Sequence, residues 1–335
     1  MRTSSPAGLL SVIALLVAAA CGGASAGPAT SSPSAPVHLE ASFSELVPDS
    51  VALWGASDGG YLKKNALDVN IQLIESSKGI PALLSGQTNI AVLGGSNALN
   101  AAVSGADLEV IAVLAPVYPY QLMVPAGITN AQELKGKTLG VSSVGSSSDI
   151  ATRVALRKLG LDPTKDVNIV AVGSSQNRIA AMYSGAIQGS VNQPPDTIAM
   201  QARGFHSILD LAGAKLPTAN TGVVVQRSWA TSHKAVVQRF IDSLVQASVR
   251  IRKDLAFTTN VIKKWEKSTD TPGMQATATY YMKEIVPALP YPRAAMFKDA
   301  LAVLATRNEA AKTYDVSKLL NQSFVKSADS RGLGK

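Results

Sequence analysis

Thr138-Leu139-Gly140-Val141-Ser142-Ser143-Val144-Gly145-Ser146-Ser147-Ser148-Asp149 runs directly into Ile150-Ala151-Thr152-Arg153-Val154-Ala155-Leu156. The first four residues read as a short apolar strand, and the last seven carry apolar residues at helical spacing. Between them lie serines, Gly145, Val144 and Asp149. A strand that feeds a helix through such a loop leaves the first N–H groups of the helix unpaired. Those groups and the positive end of the helix dipole attract an anion or a polar oxygen. A plain helix cap at Ser147 or Ser148 would use the same residues.

Working outward, the chain repeats this arrangement. Residues 37–43 alternate like a strand, a helix is expected over 50–66 with Asn65 at its left-handed end, and a strand over 69–74. A short helix follows at 80–85, a buried strand at 89–93, then Gly94-Gly95-Ser96-Asn97 and another helix. Strands alternating with helices at this pitch predict an α/β fold with largely parallel sheets. A shift of 99 residues lays Ser76, Ala82, Ser85, Gly86, Val92 and Gly105 on Ser175, Ala181, Ser184, Gly185, Val191 and Gly204. Each half thus contains a helix, a Ser-Gly turn, a buried strand and a polar loop, the second loop being Asn192-Gln193-Pro194-Pro195. Two such halves facing each other would line one cleft. The apolar extended pieces 118–124 and 222–226 are expected to cross between the lobes. After Ser228 the chain reads as helical, with Val237, Phe240, Ile241, Leu244, Ser248 and Ile251 on one face.

The length of 335 residues suits two lobes, and 46% hydrophobic with 16% charged residues is a globular composition. Residues 7–20 form an uncharged apolar run after Arg2, too short to span a bilayer, and read as a secretory signal. Cys21 is the single cysteine, which excludes internal disulfides, cysteine metal sites and Cys-pair redox chemistry. Val17-Ala18-Ala19-Ala20-Cys21-Gly22-Gly23 resembles a bacterial lipobox, implying cleavage before Cys21 and lipidation of its thiol. Residues 22–36 contain only Gly, Ala, Ser, Thr and Pro, a flexible tether. The expected organisation is therefore a signal (1–20), an anchor and tether (21–36), lobe one (37–119 and 226–335) and lobe two with the crossings (120–225). The net charge of +8 is concentrated in residues 226–335, with 18 Lys+Arg against 9 Asp+Glu. These cations stand singly among apolar residues, so a solvated helix face is expected rather than a nucleic-acid surface.

Three further stretches carry a family resemblance: Asp58-Gly59-Gly60-Tyr61-Leu62-Lys63-Lys64-Asn65-Ala66-Leu67-Asp68-Val69, Glu133-Leu134-Lys135-Gly136-Lys137-Thr138-Leu139-Gly140-Val141 and Arg178-Ile179-Ala180-Ala181-Met182-Tyr183-Ser184-Gly185-Ala186-Ile187. They resemble substrate-binding lipoproteins of bacterial ABC importers of the nitrate/sulfonate/taurine (SsuA/THI5-like) group. The resemblance implies a periplasmic-binding-protein type II fold, two lobes that close on a small molecule and pass it to a permease with its ATPase. It implies a monomer exported to the periplasmic or cell-surface side, held at the membrane through Cys21, with no cofactor. By position, the implied ligand-binding residues are Ser42, Ser44, Gly95, Ser96, Asn97, Ser142, Ser143, Ser146, Ser147, Asn192 and Gln193. The implied solute is a small anionic or polar organic molecule, with a neutral pyrimidine-like thiamine precursor as the alternative, and a sensor or enzyme as a more distant one. The sequence departs from the group at Gln188-Gly189.

No catalytic or metal set is legible. Gly140-Val141-Ser142-Ser143-Val144-Gly145 is one residue too long for a nucleophile elbow. His38, His206 and His233 stand in separate elements at no ligand spacing. Arg178 is a candidate anion partner or a structural arginine, and Glu45 a candidate cation partner or a solvated carboxylate. Trp54, Tyr118 and Tyr120 are candidates for stacking on a ligand or for the core.

Overall fold

Leu39, Ala41 and Phe43 alternate along Val37–Phe43 (β1) and are almost wholly buried, while His38 before them is exposed and Glu40 half-buried. Its apolar side chains at every second position face the core as a strand's do, and the strand lies inside its sheet. The computed structural model describes residues 35–335; the signal, Cys21 and nearly all of the tether lie outside the described residues. After a 3-10 turn at Pro48–Ser50 come helices α1 (Val51–Asp58) and α2 (Tyr61–Lys64), β2 (Leu67–Leu73), α3 (Ser76–Leu84), β3 (Ile90–Leu93), α4 (Gly95–Val103) and β4 (Leu108–Val117). The second half holds β5 (Gln121–Pro125), β6 (Thr138–Val141), α5 (Ser147–Lys158), β7 (Asn168–Ala171), α6 (Ser175–Tyr183), β8 (Gly189–Asn192), α7 (Asp196–Gln201) and β9 (Phe205–Asp210). The chain then enters β10 (Pro217–Gln226) and the helices α8 (Arg227–Ser232), α9 (Lys234–Lys253), α10 (Leu255–Trp265), α11 (Thr271–Tyr280), α12 (Lys298–Ala305) and α13 (Ser323–Ser330).

Two five-stranded sheets result, β2-β1-β3-β10-β4 and β7-β6-β8-β5-β9. In each, the first three strands are parallel and the fourth is antiparallel to the third. The fourth strand is the one that comes from across the molecule: β5 enters the second sheet directly after β4, and β10 enters the first after β9. The 99-residue shift is structural as well. It carries α3 onto α6 and β3 onto β8 residue for residue, and it pairs the left-handed turns Gly86 with Gly185 and Gly105 with Gly204.

Two expectations are corrected. Residues 222–226 do not cross between lobes; they end β10 inside the first sheet, so residues 217–225 belong with lobe one. Val223, Val224 and Val225 are apolar because a central strand is covered on both faces, and an apolar crossing would read the same way. The helix expected over 50–66 breaks at Gly59-Gly60, where Gly60 takes φ +73°, and the left-handed end residue is Ala66 (φ +54°), not Asn65.

The helical face expected on α9 is buried as its spacing requires. Trp54 is wholly buried in the same core, stacked on Trp265 at 5.4 Å between ring centroids and edge-on to Phe43 at 5.7 Å. That makes it a core residue. Trp54→Ala is expected to lower stability by about 3–5 kcal/mol, read from the shift of the denaturant midpoint.

Candidate functional site

The loops after β1, β3 and β6 turn toward a common space of about 380 Å³, including its open side. Ser44 and Glu45 come from the first loop, Gly94 and Asn97 from the second, Ser142, Ser147 and Ser148 from the third. Val47, Asp49, Ser50 and Ser76 of lobe one, Tyr120 of the crossing, and Asn220 and Thr221 of β10 complete the lining.

Several contacts join the lobes around this space. Arg178 Nη1 of α6 stands 3.5 Å from Glu45 Oε1 and donates to Gly173 O at 2.9 Å. Gln176 Nε2 donates to Leu46 O at 3.2 Å, and Ser147 Oγ to Asn220 O at 2.8 Å. Gly94 packs so close to α5 that a Cβ there would lie 2.5 Å from Ser147 Oγ. Any larger residue at 94 would have to displace the Ser147 hydroxyl and the Asn97 amide.

The start of α5 differs from the anion site that its sequence suggests. Ser146 is the cap, its Oγ accepting from Asp149 N at 3.4 Å. The Asp149 carboxylate reaches back to accept from Gly145 N at 2.7 Å, and its other oxygen accepts from Arg153 Nε at 2.7 Å. This differs from a capping box in that the carboxylate takes the N–H of the residue before the cap, and it sets a buried carboxylate of the chain itself at the positive end of the helix. Ser148 Oγ accepts from Ser142 N at 2.8 Å, so another loop N–H is also satisfied internally. The S-x-x-D spacing of Ser146 and Asp149 was the sequence signal for this arrangement.

Asp49 lies at the base of the cavity with 7% of its surface exposed. Tyr281 OH donates to it at 2.8 Å, Asn220 Nδ2 donates to its other oxygen, and Gln193 also donates. Burial still outweighs these donors and pushes its pKa up to about 6. Glu266, with one oxygen enclosed and unpartnered, is pushed up to about 9 by burial beside Asp196 and Asp49.

Of the residues expected in the site, Ser44, Asn97, Ser142 and Ser147 line the cavity. Ser42 is buried at the end of β1, and Ser143 and Ser146 hold the α5 turn. Gly95 packs on Ala219, and Ser96 faces Ala219 and Phe297 behind the cavity. Asn192 Nδ2 donates to Ser175 Oγ at 3.3 Å, while Gln193 serves Asp49. Sequence reasoning missed Asp49, Ser50, Ser76, Ser148, Asn220 and Thr221. Asp49 and Asn220 meet from 171 positions apart, and no local pattern marks either. Among the described residues no group of His, Cys, Asp and Glu could hold a metal ion, and no helix is long and apolar enough to cross a membrane.

Paired sheets, crossing-supplied fourth strands and a cavity between lobes define a periplasmic-binding-protein fold. A family model for NMT1/THI5-like proteins matches residues 47–251, and the chain belongs to that family. Among solved structures it is similar to the ligand-binding component of an ABC-type import system from Staphylococcus aureus with zinc bound (12% identity, 87% of this chain and 98% of that one, TM-score 0.72). It is similar to the alkanesulfonate-binding protein SsuA from Xanthomonas axonopodis pv. citri bound to MOPS (21% identity, 86% and 99%, TM-score 0.68). The fold also occurs in an enzyme, the desulfurization enzyme DszB in complex with biphenyl-2-sulfinic acid (17% identity, 88% and 99%, TM-score 0.66). No curated protein matches the sequence.

The Asp49 shift has a measurable consequence. A carboxyl whose folded pKa lies above its unfolded one stabilises the fold below the unfolded value and loses that contribution as pH rises through about 6. Between about pH 4 and 6.5 the stability of the native protein relative to Asp49→Asn should therefore fall by about 2–3 kcal/mol. Denaturant titrations at the two pH values check this.

Proposed function

We propose that this protein is the extracytoplasmic solute-binding component of an ABC importer, a monomer that takes up a small polar organic solute by lobe closure and presents it to a permease. The observation that carries this reading is the cavity between the lobes, whose walls come from both and whose rim is joined by Glu45–Arg178 and Gln176–Leu46. Opening those contacts gives a solute access; remaking them expels water around it. Ser44, Asn97, Ser142 and Ser147 are the proposed contact residues. Ser42, Gly95, Ser96, Ser143, Ser146, Asn192 and Gln193 are proposed to hold the loops in place. A sulfonate-like anion would meet Glu45 and Asp49 in a lining that contains no Lys, Arg or His. The reading is therefore of a polar solute without net negative charge. Tyr120 on the lining keeps a neutral aromatic solute as the second reading.

We propose binding without chemistry, and the lining supports it. Its serine hydroxyls have no imidazole or lysine beside them to take a proton, as a serine nucleophile requires. Placement outside the cytoplasm, with Cys21 lipidated and the tether giving reach, agrees with this role.

Native mass spectrometry of the full chain, purified without denaturation, tests the reading; a spectrum in which no small molecule is ever retained would sink it. Ser147→Leu places a branched side chain against Gly94, where a Cβ already has no room. That variant is expected to lose the retained molecule while melting within a few degrees of the parent; retention in the variant would count against closure at this place. Cys21→Ser should move the protein from the membrane fraction to the soluble fraction, and its persistence in the membrane would remove the anchor from the account.

A further inference from the structure

Resting on that solute-binding reading, we infer that the solute is an organic cation bearing N–H donors, an amine, amidine or guanidine, held between Glu45 and the side-chain oxygen of Asn220.

The lining of the cavity includes Glu45 and Asp49, and the adjoining mouth adds Glu75; neither contains a Lys, Arg or His. Arg178 behind Glu45 offsets one charge, and it shares its guanidinium with Gly173 O. Among the described residues neither Asp49 nor Glu75 has a cation within salt-bridge distance. The charge balance at the mouth is negative.

The hydrogen-bond balance points the same way independently. Asn220, 3% exposed and on the lining, turns its Nδ2 to the Asp49 carboxylate. A carboxylate accepts and does not donate, so the amide orientation is forced and Oδ1 is the free end. That oxygen is buried and has no partner. Asn97, also on the lining, donates Nδ2 to Ser76 O at 3.3 Å and likewise leaves Oδ1 buried and unpartnered. Buried acceptors left without donors are destabilising, and a ligand rich in N–H groups satisfies them. An anion would add acceptors to a place that already has too many. The helix start that might have welcomed it holds the Asp149 carboxylate instead. Arginine-type and diamine-type ligands share the required chemistry, a positive charge with several N–H donors.

Thermal shift and calorimetry on the full chain with agmatine, putrescine and spermidine, against ethanesulfonate and nitrate, test this. At least one cation should raise the melting temperature. Glu45→Gln, checked for an unchanged melting temperature without ligand, should bind that cation at least tenfold more weakly. Stabilisation by ethanesulfonate, strengthened in Glu45→Gln, would overturn the cation assignment while leaving solute binding intact. Should none of these probes bind, the mass and charge of the molecule retained in native spectra decide. A retained amine or guanidine upholds the assignment and an anionic or uncharged one overturns it. No retained molecule at all defeats the solute-binding reading with it.

Discussion

A single buried carboxylate gathers the parts of this molecule that are furthest apart in sequence. Asp49, in the turn before α1, receives donors from Tyr281 after the C-terminal α11, from Asn220 in β10 and from Gln193 in the second lobe. A charge in that position is unfavourable without donors, so the donors are held there. Holding them orients two amides and a phenol around the base of the cavity. The geometry of the cavity thus follows from satisfying one group that would otherwise be costly to bury.

The sheets supply the frame for that arrangement. Each lobe completes its sheet with a strand that arrives from the other, β10 in the first and β5 in the second. The lobes are therefore joined by strands embedded in their interiors. One apolar cluster runs through this junction, with Leu93, Val113, Tyr118, Leu122 and Leu139 among its members. The chain passes from one sheet to the other at 118–120 and returns at 211–216. The cavity lies beside them, with Tyr120 in its wall.

Family likeness leaves the charge of the cavity lining open. The chain belongs to the NMT1/THI5-like family and its fold is similar to that of the SsuA structure. The sign of the charge facing that space comes from Glu45, Asp49 and Glu75, and from the use of Asp149 to close the α5 turn. These are side-chain decisions that a shared fold leaves free.

What the sequence determined by itself was everything carried by local periodicity. The alternation in β1, the buried face of α9, the glycine turns repeated at a 99-residue interval and the small-residue loop before α5 were all legible, because each rests on neighbours a few positions away. A serine cap at the start of α5 was legible as a type, but it was expected at Ser147 or Ser148 and stands at Ser146. Only the tertiary structure decided that 222–226 lies inside a sheet, that Trp54 belongs to the core, and that Gly95 and Ser96 face away from the cavity. It alone brought Asp49 to Asn220 and Glu45 to Arg178. Those meetings depend on how two sheets exchange strands, and a contact between residues more than a hundred positions apart leaves no mark on the spacing around either one.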